Sequence, residues 1–504
     1  MPLEAVKSQS AKNWWALAGV SLASFLGCAD FTIVNTAMPA IQDGFVVGLK
    51  ESQWVISAFL MALSATMVIM GRLADRNGRR RGLYLSMALF GGASIAAAVA
   101  PSLAWLVFFR ALQGVACAGL YTASTAIVSN AFSDTHRGKA LGILFGVNGM
   151  GLAVGPVLGD VLVELYGWRS IFLLNVPVVI ISFVICFFSV RESKAGGDAQ
   201  RMDWLGAVLL AAIVSMLIFL IVYAGSWGWM SEKTLLGVAL VAVLSVLMVK
   251  IETRHTWPIL PFHLFKVPGF IVATASSCVL AVFYCTALFF MPLYLKIVAG
   301  YGAGVVGLML LPTTAVMAVA SPLVGRWVDR KGPWIAIKTG CLLLAASAAI
   351  QWFFDINTAV LLIVLAFTAM GIGWACILGP STVAALSSVD EAEGASAAGA
   401  SWTLHNVTGA VGLAIGTSVY QLFVKNWFEN AQLAAQGIEE WKLAADPAGA
   451  SQALQNAGIS GAHAIELSQQ MFVAGYSHVM LLLLVISVVG FLALALTTKH
   501  RIFA

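Results

Sequence analysis

Fourteen runs of about 20 apolar residues follow one another along this chain, the first near 15–37 and the last near 472–496. A run of that length crosses the ~30 Å hydrocarbon core of a bilayer as a single helix, because backbone polar groups in lipid must find partners within the segment. The runs are continuous, not ten-residue stretches of alternating polarity, which argues against a membrane β-barrel. Charge is correspondingly scarce. Only 10% of the 504 residues are charged, against about 25% in a soluble domain, so a water-soluble fold of this size is excluded. The expectation is an all-α polytopic membrane protein.

An even number of spans leaves both termini on one side. That side collects Lys7, Lys12, the arginines between Arg72 and Arg81, Arg137, Lys139, Arg191, Lys194, Arg201, Lys250, Arg254, Lys266, Arg326, Arg330, Lys331, Lys338, Lys499 and Arg501. The opposite side holds Lys50, Arg169, Lys233, Lys296, Lys425 and Lys442. By the positive-inside rule both termini are expected in the cytoplasm of a multi-pass protein of the cell's inner or plasma membrane. The residues before the first run lack a clear cleavage site and are expected to lead into that span, not to form a removed signal peptide. The net charge of +5 falls in inner loops, so nucleic acid is not an expected partner. Seven cysteines all lie inside apolar runs and none forms CxxC, which points to buried free thiols and to no metal site.

A charged octapeptide divides the chain. GRLADRNG at 71–78 returns as GRWVDRKG at 325–332, with Gly71, Arg72, Asp75, Arg76 and Gly78 matching Gly325, Arg326, Asp329, Arg330 and Gly332. The first copy joins spans 2 and 3, the second spans 10 and 11, so two related halves must be separated by two extra helices. The expected domains are a six-helix half at 1–190, a linker with two inserted helices at 191–269, and a second six-helix half at 270–504. The inserted pair falls at roughly 204–250, entered through 191–203, and a polar outer loop is expected near 424–471. Gly71 is expected to permit a tight exit from span 2. Asp75 is expected either to cap the start of span 3 or to pair with a basic neighbour across the half interface. Arg79, Arg80 and Arg81 suit the anionic headgroups of the inner leaflet.

Polar residues inside the spans carry the chemistry. Asp30 lies well within span 1, where an ionised carboxylate needs a cavity or a partner helix and protonates readily, so it is the candidate proton-binding group. Thr32 and Asn35 stand nearby as hydrogen-bond partners. Arg110 in span 4, with Gln113, requires a carboxylate, backbone carbonyls or a polar ligand; Asp30 is the candidate, and snorkelling to an interface is the alternative. In span 5, Gly151, Gly155 and Gly159 recur every four residues on one face and Pro156 removes a backbone hydrogen bond, a combination suited to a hinge between closely packed helices. Asn148, Tyr284, His405 and Asn406 are candidates for lining a substrate cavity, although a lone Asn or His in a bundle is more often an interhelical contact. No GxxxxGK[ST] phosphate loop is present, nor a nucleophile–base or HExxH pattern. Neither ATP as direct driver nor enzymatic activity is expected, and the driving force expected in place of a cofactor is the proton gradient.

These motifs together resemble the major facilitator superfamily, and within it the fourteen-span drug:proton antiporters of the EmrB/QacA type. GRLADRNGRRR at 71–81, FFRALQGVACA at 108–118, GLAVGPVLG at 151–159, DFTIVNTAMP at 30–39 and GWRSIFLLNVP at 167–177 are each similar to signatures of that group. The resemblance implies the major facilitator fold and a secondary exporter of amphipathic small molecules, either drugs and toxicants or an endogenous metabolite such as a siderophore. It implies gating roles for the octapeptide and the span 5 stripe. If the host has two membranes, it also allows a periplasmic adaptor and an outer-membrane channel as partners. Two departures bear on substrate class: Asp160 stands where the span 5 signature usually has glycine, and Lys296 where many relatives have glutamine. The alternatives are a proton symporter for uptake, disfavoured by the span 5 stripe, and a non-transporting receptor or scaffold, for which buried Asp30 and Arg110 would be a costly feature.

Overall fold

The computed structural model describes residues 3–47, 49–193, 203–228, 230–254, 262–390, 393–430, 450–456 and 459–499. Among them the chain is helical and carries no strand. The helices are α1 (Leu3–Phe45), α2 (Leu49–Asn77), α3 (Arg79–Ala98), α4 (Leu103–Ala131), α5 (Asp134–Tyr166), α6 (Ser170–Leu173), α7 (Asn175–Ser189), α8 (Trp204–Trp227) and α9 (Glu232–Glu252). After a 3-10 turn at Phe262–Lys266 come α10 (Pro268–Ile297), α11 (Ala303–Lys331), α12 (Pro333–Trp352), α13 (Val360–Ser387), α14 (Gly394–Asn430), α15 (Ala450–Asn456) and α16 (Gly461–Lys499). Within the linker expected at 191–203, residues 194–202 lie outside the described residues, as do 431–449 of the outer loop expected at 424–471.

The helices outrun the apolar windows that announce them. α1 extends over 43 residues and α14 over 37, because the i→i−4 ladder continues through polar flanks after the chain leaves hydrocarbon. Eleven helices are long and apolar enough to cross a membrane among the described residues. α3, α5 and α8 are the other long helices: α3 opens on three arginines, and the uninterrupted apolar part of α8 is Trp204–Leu220. Helix α11 passes through Pro312 and Pro322, and α13 through Pro380, without interruption.

Packing sorts these helices into neighbours. α1 lies against α5 and α7, and α4 against α2 and α3. α10 lies against α13 and α14, and α12 against α13 and α16. The two sets meet along α5–α11 and α2–α14. α8 and α9 sit beside the second of these seams: α8 touches both α2 and α14, while α9 packs on α8. Leu235, Leu236, Val238, Val243 and Val246 of α9 are all more than half exposed, as a helix facing lipid should be.

Glycine sets the closest approaches. A Cβ at Gly114 would run into the carbonyl oxygen of Phe59 on α2, and one at Gly119 into Ser86 of α3. On α5, Cβ atoms at Gly151, Gly155 and Gly159 would come within 2.8, 2.9 and 3.0 Å of the Phe25, Ala29 and Ile33 carbonyls of α1. The stripe is thus a seam between two helices of the same set, where absent side chains let backbones touch. The side chain of Pro156 lies outside the described residues, and α5 is continuous through it. Gly114→Val should drive α4 off α2 and lower stability by about 1–3 kcal/mol, the usual cost of overpacking; a thermal-unfolding midpoint in detergent, unchanged from wild type, would contradict the packing.

Candidate functional site

One buried ion pair joins α1 to α4. Asp30 and Arg110 are 0% and 1% exposed. The Arg110 guanidinium donates through Nη1 to Asp30 Oδ2 and to Gln113 Oε1 (2.9 Å), and through Nε to the Val55 carbonyl (3.1 Å). Asn175 Nδ2 donates to the other carboxylate oxygen, Asp30 Oδ1, at 2.8 Å, and Gln113 Nε2 donates to Ser94 Oγ at 2.8 Å. The ring of Phe59 lies 4.3 Å from the guanidinium carbon. Five helices, α1, α2, α3, α4 and α7, therefore satisfy one ion pair. Thr32 and Asn35 do not take part: Thr32 Oγ1 donates to the Ala29 carbonyl of its own helix (3.2 Å), and Asn35 is exposed. Snorkelling of Arg110 is ruled out by its burial. Asn175, which donates to Asp30, and Ser94, which accepts from Gln113 and Asn175, were not assigned to this site in the sequence reading. Spacing along α1 cannot reveal them, because α3 and α7 deliver them from elsewhere in the chain.

An aromatic cluster lies next to this pair. Cys28 Sγ, two residues before Asp30, lies 3.1 Å from Tyr121 OH. Tyr121 stacks on Trp402 of α14 with ring centroids 5.9 Å apart, and Trp402 meets His405 edge-on at 5.1 Å. Tyr284 stacks between Trp374 (4.6 Å) and His405 (5.6 Å), and Phe145 of α5 lies 6.1 Å from Trp402. The buried His405 shares Nδ1 with Ser277 Oγ at 2.8 Å. Asn148 Oδ1 and Trp374 Nε1 are buried without a hydrogen-bond partner among the described residues, a costly state unless something polar arrives. Asn406 sits at the edge, its Nδ2 donating to Met67 Sδ (3.5 Å) across the α2–α14 seam. The structure thus brings together Tyr284 and His405 with Trp374, Trp402 and Tyr121, whereas Thr32 is absorbed by its own helix. Lys296 is exposed in the last turn of α10, and the side chain of Asp160 lies outside the described residues.

The octapeptides form a two-sided clasp. Asp75 Oδ1 accepts from Arg79 Nε and Nη2 (3.1 and 2.9 Å), while Oδ2 accepts from the backbone N and the hydroxyl of Ser396 (2.9 and 3.0 Å). Ser396 is in the first turn of α14, so this carboxylate meets the positive end of a helix from the other set. The second copy does the same in reverse: Asp329 at the end of α11 accepts from the backbone N of Gly138 (2.7 Å) and Lys139 (3.0 Å) near the start of α5. Both alternatives for Asp75 are therefore revised. Its basic partner is in its own set, and the helix it caps is across the interface.

The tight turn also falls elsewhere than expected. Gly71 is buried within α2, and the exit is made by Gly78 at φ 110°, with Gly332 at φ 79° in the second copy; these are left-handed conformations that favour glycine. Arg79, expected at headgroups, is turned inward at 1% exposure. Arg80 is fastened to Tyr84 OH (2.8 Å) and the Phe187 carbonyl (3.0 Å), and Arg76 is exposed.

Beside the second clasp, α5 and α11 meet backbone to backbone. Cβ atoms at Gly138, Gly146 and Gly149 would come within 2.7 Å of the Gly325 carbonyl, 2.8 Å of the Ala318 carbonyl and 2.7 Å of Met317 Sδ. Gly142 lies against the Ser321 carbonyl. This is a second glycine face on α5, unmarked in the sequence reading although Gly138, Gly142 and Gly146 share the four-residue spacing of the first.

The comparisons agree with this architecture. Residues 20–413 match the Major Facilitator Superfamily. The chain belongs to that family. It is 32% identical over 414 residues to the multidrug resistance protein Stp of Mycobacterium tuberculosis, covering 82% of this chain and 76% of that one. It is 29% identical over 464 residues to the tetracenomycin C resistance and export protein of Streptomyces glaucescens, covering 91% and 86%. The human organic anion transporter MFSD10 has the same fold, with a TM-score of 0.65 at 13% identity and coverage of 96% and 99%. This member of the superfamily is a multi-pass membrane transporter and not an enzyme.

Two outcomes follow from the geometry. Arg110→Lys leaves one point charge where a planar fork serves three acceptors, so transport should fall at least ~10-fold while the protein still inserts; full activity in a vesicle assay would show that the fork is not needed. Gly142→Val should wedge α5 from α11, and accessibility labelling at the octapeptide end should rise.

Proposed function

We propose that this chain is a fourteen-span, proton-coupled exporter of amphipathic small molecules carrying aromatic rings. The observation that carries the reading is the contiguity of the buried Asp30–Arg110 pair with an aromatic cluster assembled from α4, α5, α10, α13 and α14. A carboxylate that remains ionised inside a bilayer does so only with its counter-charge, and removing one partner from such a pair costs about 3–5 kcal/mol. Protonation of Asp30 removes that attraction but leaves Arg110 its bonds to Gln113 Oε1 and the Val55 carbonyl. Release of α1 from α4 would then be felt at Cys28 and Tyr121, and through Tyr121 at Trp402. Proton and substrate would thus act on the same helices from adjoining sites, which gives exchange by differential stabilisation of two states.

The octapeptide clasps close one end of the bundle in this conformation. With the basic loops inside, both termini are cytoplasmic and the closed end faces the cytoplasm. The domains of this reading are a six-helix half at 1–190, the insert within 191–269 and a second half at 270–504. Outward movement of substrate is favoured by the resistance and export proteins among the relatives. Stacked rings with unpaired Trp374 Nε1 and Asn148 Oδ1 suit a flat aromatic ligand that both accepts and donates hydrogen bonds.

Asp30→Asn keeps the shape and removes the titratable group. In proteoliposomes with an imposed pH gradient, it should abolish gradient-driven uphill transport of a fluorescent aromatic cation while leaving downhill counterflow. Uphill transport at the wild-type rate would remove Asp30 from the coupling role.

A further inference from the structure

At the end of the bundle opposite the octapeptides, α2, α4 and α8 leave a groove of about 650 Å³ between them, within the ~300–1,000 Å³ usual for small-molecule sites. Ala104 and Val107 line it from the start of α4, Phe219 and Tyr223 from the last turns of α8, and Glu51 and Trp54 from the start of α2. Three of these side chains form an aromatic wall. The Trp54 ring centroid lies 5.8 Å from that of Phe219 and 5.6 Å from that of Tyr223, and the latter two are 4.7 Å apart. Their planes are inclined to one another by 32°, 34° and 34°. Trp227, one turn beyond Tyr223, extends the ladder at 5.7 Å and holds Lys233 Nζ 6.0 Å from its ring centre. Aromatic faces attract cations through their quadrupole, and the chain already uses one ring of this ladder in that way.

Glu51 supplies the charge of the groove. It stands in the first turn of α2, is exposed, and its carboxylate has no ion-pair partner among the described residues. An anionic amphiphile would be repelled by it, and a neutral acyl chain gains nothing from it. A flat molecule bearing positive charge gains from the rings and from the carboxylate together. We propose that this groove is a second ligand site, selective for amphipathic organic cations with aromatic rings, which lie against Trp54, Phe219 and Tyr223 with their charge offset by Glu51. The site shares no residue with the Asp30–Arg110 pair or with the cluster around Trp402, and it does not depend on proton coupling at Asp30.

The test uses the full-length chain carrying Ala104→Cys, an exposed lining position, in nanodiscs of phosphatidylethanolamine and phosphatidylglycerol. Alkylation of the new cysteine by a water-soluble maleimide is followed by peptide mass spectrometry, with the native cysteines left in place. Tetraphenylphosphonium should slow this alkylation at least ~3-fold, whereas tetraphenylborate, of the same shape and opposite charge, should not. Glu51→Gln and, separately, Phe219→Leu should each raise the half-protecting concentration by about threefold, the size of one cation–ring or charge contact at an exposed site. Asp30→Asn should leave the protection as it is. Equal protection by the two ions would reveal an apolar groove without charge preference and overturn the proposal, as would no protection by either. Protection kept in both groove variants but lost in Asp30→Asn would place the cation at the central pair and overturn it as well. Protection abolished by doping the nanodiscs with phosphatidylcholine would make the occupant a lipid headgroup, which also sinks the proposal. The comparison of the two ions requires no change to Glu51 or Phe219, so it decides the matter even if a groove variant fails to fold.

Discussion

A charge inside hydrocarbon has to find its counter-charge within the protein, and the Asp30–Arg110 pair organises the bundle around that need. The two groups therefore draw fixed hydrogen bonds from the surrounding protein. Gln113, Asn175, Ser94 and the Val55 carbonyl supply them. Five helices must hold register for this to work.

Movement requires surfaces that can close tightly and part again. α5 meets this with two glycine faces, one lying against α1 and the other against α11. The first is a seam within its own set, the second a seam between sets. At the end of the second seam Asp329 binds the start of α5, and Asp75 binds the start of α14 in the same way. Each contact sets one carboxylate against backbone N–H groups near the start of a helix from the facing set.

Much of this was legible from residue order. The Asp30–Arg110 partnership follows from two rare charges in apolar spans, whereas the octapeptide's repetition spoke only of duplication and left the partners of Asp75 to be found in the structure. The errors have local causes. Gly71 was assigned the turn made by Gly78, because an apolar window ends where hydrocarbon ends while the helix continues to Asn77. Arg79 was assigned to headgroups, because a run of three arginines does not say which one turns inward to Asp75. Thr32 looked like a neighbour of Asp30, but hydroxyls on helices readily bond the carbonyl three or four residues back.

By itself the sequence determined the class of environment, the helical character of the spans, the internal duplication and the identity of the buried charges, since each depends on the hydropathy or charge of residues close together in the chain. Only the tertiary structure decided which helices meet. It placed Asn175 on Asp30, Ser396 on Asp75, Trp402 on Tyr121, and α8 and α9 beside the α2–α14 seam. These partners are separated by more than a hundred residues, and in a bundle of helices of similar hydrophobicity their pairing is chosen by shape, by missing side chains at glycine and by the demand that each buried polar group be satisfied.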